Sequence, residues 1–218
     1  MGWTIVTNDL IWWIPFALIL RESYRAHVTE PPPTQNPAEI VELLSDAKTQ
    51  TGISLAELAE ESRLLVVFLR HMGCTFCRET LGDLARDREA IEMSGTQIVL
   101  VHMSPEETAG KFFARYGLAD VERISDPQRK LYRAFGLRRG AFSQLFGWRI
   151  WLRGFDAGIL HGHGVGKLQG DGFQMPGVFL LTDGQLVRSF RHLSASDRPR
   201  YAKLTQCGPE SRGDRLKP

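Results

Sequence analysis

The feature that most restricts the fold is an alternation of apolar runs and helical patterns in the middle of the chain. The run LLVVFLR, residues 64–70, is short and apolar, as expected of a strand buried on both faces. TQIVLVHM, residues 96–103, has the same character. One helical pattern lies between the two runs, and a second, SPEETAGKFFARYG, follows them with acidic residues in its first turn and a final glycine. This order predicts an α/β fold with a parallel core and right-handed crossovers.

The remaining patterns extend this core on both sides. PAEIVELLSDAK predicts a helix, and Gly95 is expected to end the helix that follows the first strand. VERIS, DPQRKLYRAFG and SDRPRYAKL predict a short strand and two helices. MPGVFLLTDGQLVRSFRHL predicts a β-hairpin with its turn at Asp183 and Gly184. Residues 138–175 interrupt the rhythm with an aromatic, basic stretch expected to be helical and then a glycine-rich loop.

Shifts in composition divide the chain into four segments. Residues 1–28 form an apolar N-terminal extension. TEPPPTQNP makes residues 29–37 a proline-rich linker, because its prolines disfavour a helix and its polar residues have little to bury. Residues 38–204 contain the predicted strands and helices and are expected to fold as one domain. Residues 205–218 are rich in glycine, proline and charge, and are expected to form a disordered tail.

The apolar block LIWWIPFALIL, residues 10–20, leaves two interpretations open. It has eleven residues, whereas a spanning helix needs about 20, and it lacks the flanking pattern of a secretory signal. It is either a weak membrane-association segment or an extension that docks on the domain or is dispensable. If the block inserts, Arg21 and Arg25 would hold the following domain on the cytoplasmic side. In both cases we expect the domain to be cytoplasmic.

Composition and motifs argue against several functions. The 218 residues are 43% hydrophobic and 24% charged, and a net charge of +2 is too small to favour nucleic acid. The loop HGHGVGKLQGDG does not match the dinucleotide fingerprint, because Lys167 and Gln169 stand where that pattern requires glycine. His161 and His163 in the same loop make only a weak metal site. We therefore expect no bound cofactor or metal.

Cys74 and Cys77 form a C-x-x-C pair at the start of the helical pattern after the first strand. Such a pair binds zinc, packs in a core or carries thiol redox chemistry. A structural zinc site needs about four ligands, and the third cysteine, Cys207, lies in the tail without a paired partner. The position of the pair, rather than its spacing alone, favours redox chemistry over the other two.

A strand that feeds directly into a helix gives Cys74 an unusual environment. It places this cysteine in the first helical turn, where unpaired amides and the helix dipole favour a thiolate. Arg70, His71 and Arg78 add positive charge nearby, whereas Glu79 opposes it. These features predict a reactive sulfur at this position.

Cys77 lies deeper in the same helix. It shares one helical stripe with three apolar residues, Leu81, Leu84 and Ile91, so we expect it to be more buried and less ionised. We predict an exposed nucleophile at Cys74 and a shielded partner at Cys77 that closes a disulfide with it. Thr75, between the two cysteines, is a further candidate to support the site.

Pro176 comes directly before the apolar strand GVFLL. A proline at a strand entry next to a thiol centre can hold a cis bond, which brings backbone near the sulfur atoms and blocks metal capture. The alternative is an ordinary turn proline. We expect the cis bond.

Three stretches together resemble a known family: FLRHMGCTFCRE, QMPGVFLLTDGQL and HMSPEETAGKFFARYGLADVERISDPQRKLYRAFGL. They are similar to the thioredoxin fold, and more narrowly to its peroxiredoxin-like branch of alkyl hydroperoxide reductase and thiol-specific antioxidant proteins, over residues 38–204. The resemblance implies a thioredoxin-like mixed sheet flanked by helices, a redox pair at Cys74 and Cys77, and a cis-proline at Pro176. It also implies thiol-dependent reduction of peroxides or disulfides, with an external dithiol such as thioredoxin or glutathione as electron donor.

The chain departs from this family at the attacking cysteine. Peroxiredoxins carry P-x-x-x-T-x-x-C, and aligning that cysteine with Cys77 puts Cys74 at the threonine and Arg70 at the proline. Two assignments follow, because thioredoxins would attack with Cys74 and peroxiredoxins with Cys77. The helix-terminus argument favours Cys74. Some relatives reduce prostaglandin endoperoxides, and the aromatic segment 142–155 is the one feature here that suggests a lipid pocket.

These observations predict a thiol-dependent peroxidase that reduces small hydroperoxides through its C-x-x-C pair. A protein-disulfide reductase of the thioredoxin type is the first alternative. A non-catalytic interaction module, tethered to a membrane through residues 10–20, is the second. The expected partners are a small hydroperoxide or disulfide substrate and a thioredoxin-type electron donor, with no nucleic acid.

Overall fold

A five-stranded mixed sheet with helices on both faces forms the domain. The computed structural model of the chain describes residues 37–72, 74–140, 171–192 and 197–206. Within these ranges the elements are, in chain order, α1 (Pro37–Asp46), α2 (Leu55–Glu61), β1 (Arg63–Phe68), α3 (Thr75–Met93), β2 (Thr96–His102), α4 (Glu106–Ala114), β3 (Glu122–Ser125), α5 (Lys130–Ala134), β4 (Gly177–Thr182), β5 (Gln185–Arg191) and α6 (Tyr201–Thr205).

Several predictions concern other parts of the chain. The apolar extension (1–28), the linker up to residue 36, the stretch 141–170 of the predicted insertion and the tail from residue 207 lie outside the described residues. The predictions for them stay predictions. Within the described ranges, no helix is both long enough and apolar enough to cross a membrane.

Strand β1 occupies the centre of the sheet. The strand order is β3-β2-β1-β4-β5, in which β1, β2 and β3 run parallel and β4 pairs antiparallel with both β1 and β5. At the end of β1, Phe68 lies opposite Val101 of β2 and Gly177 of β4. The predicted parallel core and final hairpin are confirmed. The residues that follow β1 therefore emerge at the middle of one edge of the sheet, which is where ligands commonly bind in α/β proteins.

The side chains of β1 alternate between two apolar clusters. Leu65 and Val67 pack in the cluster that contains residues of α3, α4 and α6. Leu64, Val66 and Phe68 pack in the cluster that contains residues of α2 and α5. All five are at most 1% exposed. The prediction of a strand buried on both faces is confirmed, and it explains why the run is continuously apolar instead of alternating.

Helix α3 has the predicted length and apolar face. Cys77, Leu81, Leu84 and Ile91 are all buried on one side of it. Gly95 follows its end with a φ of 72°, in the left-handed region that favours glycine. The predicted stop is confirmed.

The turn between β4 and β5 also matches its prediction. Asp183 and Gly184 have φ values of 51° and 68°, so both lie in the left-handed region. A two-residue turn of this kind matches the right-handed twist of the strands that it joins. It fixes the hairpin register, in which Gly177 lies opposite Arg191.

Two parts of the fold differ from the sequence analysis. Helix α2 was not predicted, although its start carries a capping signal: Ser54 Oγ accepts from the Glu57 N–H at 3.2 Å, and Glu57 Oε2 accepts from the Ser54 N–H at 2.7 Å. Thr205, assigned to the disordered tail, is a fully buried residue of α6. That part of the assignment is wrong, because a threonine between charged and glycine-rich stretches shows no local sign of its tertiary packing.

The two described ends of the predicted insertion lie side by side. The N–H of Gly140 donates to the carbonyl of Phe173 at 2.7 Å, and the N–H of Met175 donates to the carbonyl of Arg138 at 3.1 Å. Residues 171–175, which lead into β4, are therefore held next to residues 138–140.

Candidate functional site

The cysteine pair lies where the chain leaves the central strand and begins helix α3. Cys74 directly precedes the helix and has extended backbone torsions, with φ −74° and ψ 123°. Its N–H donates to the carbonyl of His71 at 3.0 Å, and its carbonyl accepts from the N–H of Arg78 at 3.1 Å. This turn brings the Cys74 side chain close to the first helical amides, which have no partners inside the helix.

Both cysteines are buried. Cys74 is 6% exposed and Cys77 is 4% exposed, and no disulfide joins them in this structure. The shielded position predicted for Cys77 is confirmed, whereas the exposed position predicted for Cys74 is wrong. The start of the helix packs into the same apolar cluster as Leu69 and Met72 instead of facing solvent.

Arg70 contacts both cysteines. Its guanidinium Nη1 lies 3.6 Å from the sulfur of Cys74, and its backbone N–H donates to the sulfur of Cys77 at 3.3 Å. A second guanidinium nitrogen, Nη2, donates to the carbonyl of Gly172. The side chain is only 5% exposed. A buried cation in this position favours a thiolate on the neighbouring sulfur.

The two sulfurs differ in acidity. The hydrogen bond from the Cys77 thiol, the charge of Arg70 and the amides of Cys77 and Phe76 lower the pKa of Cys74 to about 6, although burial opposes this shift. The same hydrogen bond, burial and the charge on Cys74 raise the pKa of Cys77 above its ordinary value. At neutral pH this places the negative charge on Cys74 and leaves Cys77 as the thiol.

The other predicted supporting residues have different surroundings. Arg78 is half-buried and places its guanidinium over the ring of Phe112, 5.8 Å from its centroid. Thr75 is the first residue of α3. Thr75 lies between the two cysteines and Arg78 directly follows them, but Arg70 is the residue whose guanidinium contacts a sulfur.

Two neighbouring charges affect the site differently from the prediction. Burial and the charge of Arg70 lower the pKa of His71 to about 4, so the imidazole is neutral at neutral pH. The positive charge predicted for it is therefore wrong. Glu79 is buried and forms an ion pair with Arg198 at 2.9 Å, which offsets the negative charge expected to oppose the thiolate.

Pro176 lies next to the site, but not with the predicted geometry. The described residues contain no cis peptide bond, so the bond from Met175 to Pro176 is trans and the prediction of a cis-proline is wrong. The trans form is favoured at most X–Pro bonds. With this trans bond, the next residue, Gly177, pairs with Phe68 of β1 on one side and with Arg191 of β5 on the other.

A small cavity borders the second cysteine. Its volume is about 10 Å³, roughly what one water-sized molecule requires. Its polar lining includes Cys77, Arg70, Thr80, His192 and Tyr201. Thr80, His192 and Tyr201 were not singled out in the sequence, because no local motif marks them. The hairpin register brings His192 to the site, and the docking of α6 brings Tyr201.

The described residues hold no group of side chains suited to a metal ion. Over the ranges 37–72, 74–140, 171–192 and 197–206, no three or more histidine, cysteine, aspartate or glutamate side chains cluster closely enough to hold a metal ion. His161, His163 and Cys207 lie outside these ranges.

Known proteins share both the sequence and the fold of this domain. The model of the family described as AhpC/TSA antioxidant enzyme matches residues 83–195, just over half of the 218 residues. Human peroxiredoxin-like 2A is 26% identical over 153 residues, which cover 67% of this chain and 62% of that protein. Prostamide/prostaglandin F synthase of Danio rerio is 24% identical over 170 residues, covering 75% and 82%. The chain spans less than two thirds of the length of the human and bovine peroxiredoxin-like relatives it matches.

Solved structures agree at the level of the fold. A cysteine variant of peroxiredoxin Q from Xanthomonas campestris superposes with a TM-score of 0.50 at 19% identity, covering 74% of this chain and 88% of that one. A variant of peroxiredoxin 6 from Arenicola marina gives a TM-score of 0.52 at 12% identity, covering 73% and 66%. The family match, the mixed sheet and the cysteines at the start of α3 lead to one conclusion. The chain belongs to the AhpC/TSA antioxidant enzyme family and has the thioredoxin-like fold of its peroxiredoxin-like branch.

Proposed function

We propose that the protein is an oxidoreductase that reduces small hydroperoxides through a dithiol–disulfide cycle of Cys74 and Cys77. The observation that carries this proposal is the buried Arg70, which contacts one sulfur through its guanidinium and the other through its backbone amide. A charged side chain is rarely buried without a specific partner. Here its partner is a sulfur whose pKa is lowered, and membership of an antioxidant enzyme family supports the same chemistry.

In the first step, the Cys74 thiolate attacks the terminal oxygen of a hydroperoxide, ROOH. The S–O bond forms while the O–O bond breaks, which leaves a sulfenic acid on Cys74 and an alkoxide. The alkoxide takes up one proton and departs as the alcohol ROH. The Arg70 guanidinium stabilises the thiolate before attack and the negative charge that develops on the leaving oxygen.

In the second step, Cys77 attacks the oxidised sulfur of Cys74. The S–S bond forms while the S–O bond breaks, and one water molecule leaves. Arg70 contacts both sulfurs, which places them close together before the disulfide closes. We propose that an external thiol reductant of the thioredoxin or glutathione type then restores both thiols by exchange, with no bound cofactor.

Both cysteines are buried, and the cavity that borders Cys77 is small, which supports a preference for small oxidants. Its volume of about 10 Å³ is close to the space needed by a molecule the size of water, which hydrogen peroxide exceeds only slightly. We therefore propose hydrogen peroxide as the preferred substrate, with alkyl hydroperoxides reacting more slowly the bulkier they are.

Protein-disulfide reduction is the second candidate function. It is favoured by the residues that replace the peroxiredoxin pattern, because Cys74 and Arg70 occupy the threonine and proline positions of P-x-x-x-T-x-x-C. In that function the Cys74 thiolate would attack a substrate disulfide, and Cys77 would release the reduced substrate by closing the same intramolecular disulfide.

Intact-mass analysis after one equivalent of hydrogen peroxide tests the proposal. The measurement uses the reduced protein in a Cys207→Ser background, so that only the C-x-x-C pair can react. We expect loss of two hydrogen atoms in the protein with both cysteines, and gain of one oxygen atom in the Cys77→Ser variant. The Cys74→Ser variant should show neither mass change within the time in which the other two proteins react.

The alternatives give different results in the same experiment. Oxygen gained by Cys74→Ser but not by Cys77→Ser would assign the attack to Cys77. No reaction with peroxide, together with turnover of an insulin disulfide, would support the reductase instead. No change under either condition would refute a redox function for the pair.

A further inference from the structure

A buried histidine that the cycle does not yet use lies beside the second cysteine. His192 directly follows β5, is 8% exposed, and lines the same cavity as Cys77. Its backbone N–H donates to the carbonyl of Pro176 at 3.4 Å. Its ring packs edge-on against Phe190, with the centroids 5.1 Å apart. These contacts hold the imidazole at the wall of the cavity.

One ring nitrogen of this histidine is available. Nδ1 of His192 is buried and has no hydrogen-bond partner among the described residues. Buried polar atoms are nearly always paired, so an unpaired one needs an explanation. Burial lowers the pKa of His192 to about 4, which keeps the imidazole neutral at neutral pH. In the tautomer protonated at Nε2, the Nδ1 lone pair can accept a proton.

We infer that His192 accepts the proton of the Cys77 thiol when the disulfide closes. This inference rests on the proposed function, because it assumes that Cys77 is the closing cysteine. The thiol proton moves to His192 Nδ1 while the Cys77 sulfur attacks the sulfenic sulfur of Cys74. The S–S bond forms, the S–O bond breaks, and the leaving hydroxide takes the proton from His192 to become water. The histidine ends neutral, as it began.

The closing cysteine needs such a base. The pKa of Cys77 is raised, so very little of it is ionised at neutral pH. Arg70 cannot accept a proton, and burial raises the pKa of Tyr201, whose hydroxyl donates to Thr80 at 3.2 Å. Of the described groups around the cavity, His192 is the one suited to accept a proton at neutral pH.

The charges around His192 come from two elements. Asp197, from the segment before α6, favours the protonated imidazole, whereas Arg70, from the end of β1, opposes it. Tyr201 of α6 and Cys77 of α3 are the other titratable groups at the cavity. The imidazolium that forms during the transfer is therefore supported by one carboxylate and does not persist after the proton moves on.

The pH dependence of closure in the unmodified site provides the first test. The reduced protein is mixed rapidly with hydrogen peroxide, quenched with dimedone and analysed by intact mass. This sequence separates the rate of sulfenic acid formation from the rate of disulfide closure. With His192 as the base, the closure rate should change less than threefold between about pH 5.5 and 7.5, since the histidine stays neutral throughout this range. If closure depends on a pre-formed Cys77 thiolate instead, its rate will rise about tenfold per pH unit, and the inference is overturned.

Substitution provides the second test. In His192→Gln, sulfenic acid should form at the unmodified rate while closure at pH 7 slows about 100-fold, within the range typical of general bases. The closure rate of this variant should then rise about tenfold per pH unit. His192→Asn is a second variant in case the first does not fold.

His102 supplies a matched control. It is 1% exposed, its pKa is likewise lowered by burial to about 4, and its Nδ1 has no hydrogen-bond partner among the described residues, but it does not line the cavity. His102→Gln should leave closure within twofold of the unmodified rate. Closure within twofold in His192→Gln, or equal slowing in both variants, would overturn the inference. Absence of any dimedone adduct in Cys77→Ser would instead refute the proposed peroxidase, and the inference with it.

Discussion

Arg70→Gln offers the sharpest test of how the structure activates Cys74. The substitution removes the guanidinium charge that lies 3.6 Å from the Cys74 sulfur. It leaves the hydrogen bond to Cys77 in place, because that bond comes from the backbone N–H of residue 70. The substitution also removes the charge that lowers the pKa of Cys77 and the hydrogen bond from Nη2 to the carbonyl of Gly172. Its largest expected effect is on Cys74, because the guanidinium contacts that sulfur.

The expected size follows from this distance. Two unit charges about 4 Å apart interact by about 4 kcal/mol at an effective dielectric constant of about 20, which corresponds to about three pKa units. This figure is an upper bound, because the charge of Arg70 contributes less to the pKa of Cys74 than the hydrogen bond from Cys77 does. We therefore expect the pKa of Cys74 to rise by about two units, from about 6 to about 8. At pH 7 the thiolate fraction would then fall from about nine-tenths to about one-tenth.

The measurement is the rate of alkylation by iodoacetamide as a function of pH, in the Cys207→Ser background. Reaction with hydrogen peroxide at pH 7 should slow at least tenfold in parallel, because only the thiolate attacks. Arg70→Lys, which keeps the charge, should recover most of the lowered pKa. Arg88→Gln is a matched control, since Arg88 pairs with Glu92 and Asp120, away from the sulfurs.

Two results would refute this reasoning. An unchanged alkylation profile in Arg70→Gln would mean that the buried guanidinium does not set the acidity of Cys74. Equal loss of reactivity in Arg70→Gln and Arg70→Lys would point to the shape of the guanidinium, and its bond to Gly172, rather than to its charge.

Three further predictions concern the acidity of Cys74, the ion pairs of Arg198 and the buried hydroxyl of Tyr132. The rate of sulfenic acid formation should be half-maximal near pH 6, nearly constant above about pH 7, and fall about tenfold per unit below about pH 5, because the pKa of Cys74 is lowered to about 6 and only the thiolate attacks. A midpoint near pH 9 in the stopped-flow profile would contradict this. Arg198→Ala should lower the free energy of unfolding, measured by urea denaturation, by about 2–3 kcal/mol. The substitution removes an ion-pair partner from the buried carboxylates of Glu79 and Asp83. The cost is less than for a fully buried ion pair, because Arg198 is 38% exposed. Tyr132→Phe should cost about 1–2 kcal/mol in the same assay, because the single proton of the buried hydroxyl is shared between the backbone carbonyls of Leu69 and Val101, at 2.5 and 3.1 Å. No change would mean that water replaces the hydroxyl.

Much of the fold could be predicted because each element carries its own signal. The continuous apolar run of β1 reflects burial on both faces, and the spacing of the apolar residues of α3 reflects one buried face. Gly95 and Gly184 mark positions where the backbone adopts the left-handed region. The capping pair of Ser54 and Glu57 was an equally local signal, and α2 could have been predicted from it.

The candidate site was predictable only in part. The spacing of the cysteines and their place between a strand and a helix were sufficient to identify Cys74 and Cys77 as neighbours with different acidities. The same local reasoning gave the wrong exposure for Cys74 and the wrong charge for His71. Both depend on desolvation, which is set by what packs over the loop and not by the loop's own residues.

The sequence by itself therefore determined the order of strands and helices, the burial of the central strand and the position of the dithiol, because these depend on residues within one or two turns of each other. Only the tertiary structure decided what surrounds the sulfurs. Arg70 lies on the chain just before them, but its burial depends on residues 171–175 packing nearby. His192 is 115 residues from Cys77 in the chain. It shares a cavity with Cys77 because the strand registers bring the end of β5, the start of β4 and the end of β1 to the same edge of the sheet. Acidity and proton transfer at the site are properties of these long-range contacts, since burial and charge act through space and not along the chain.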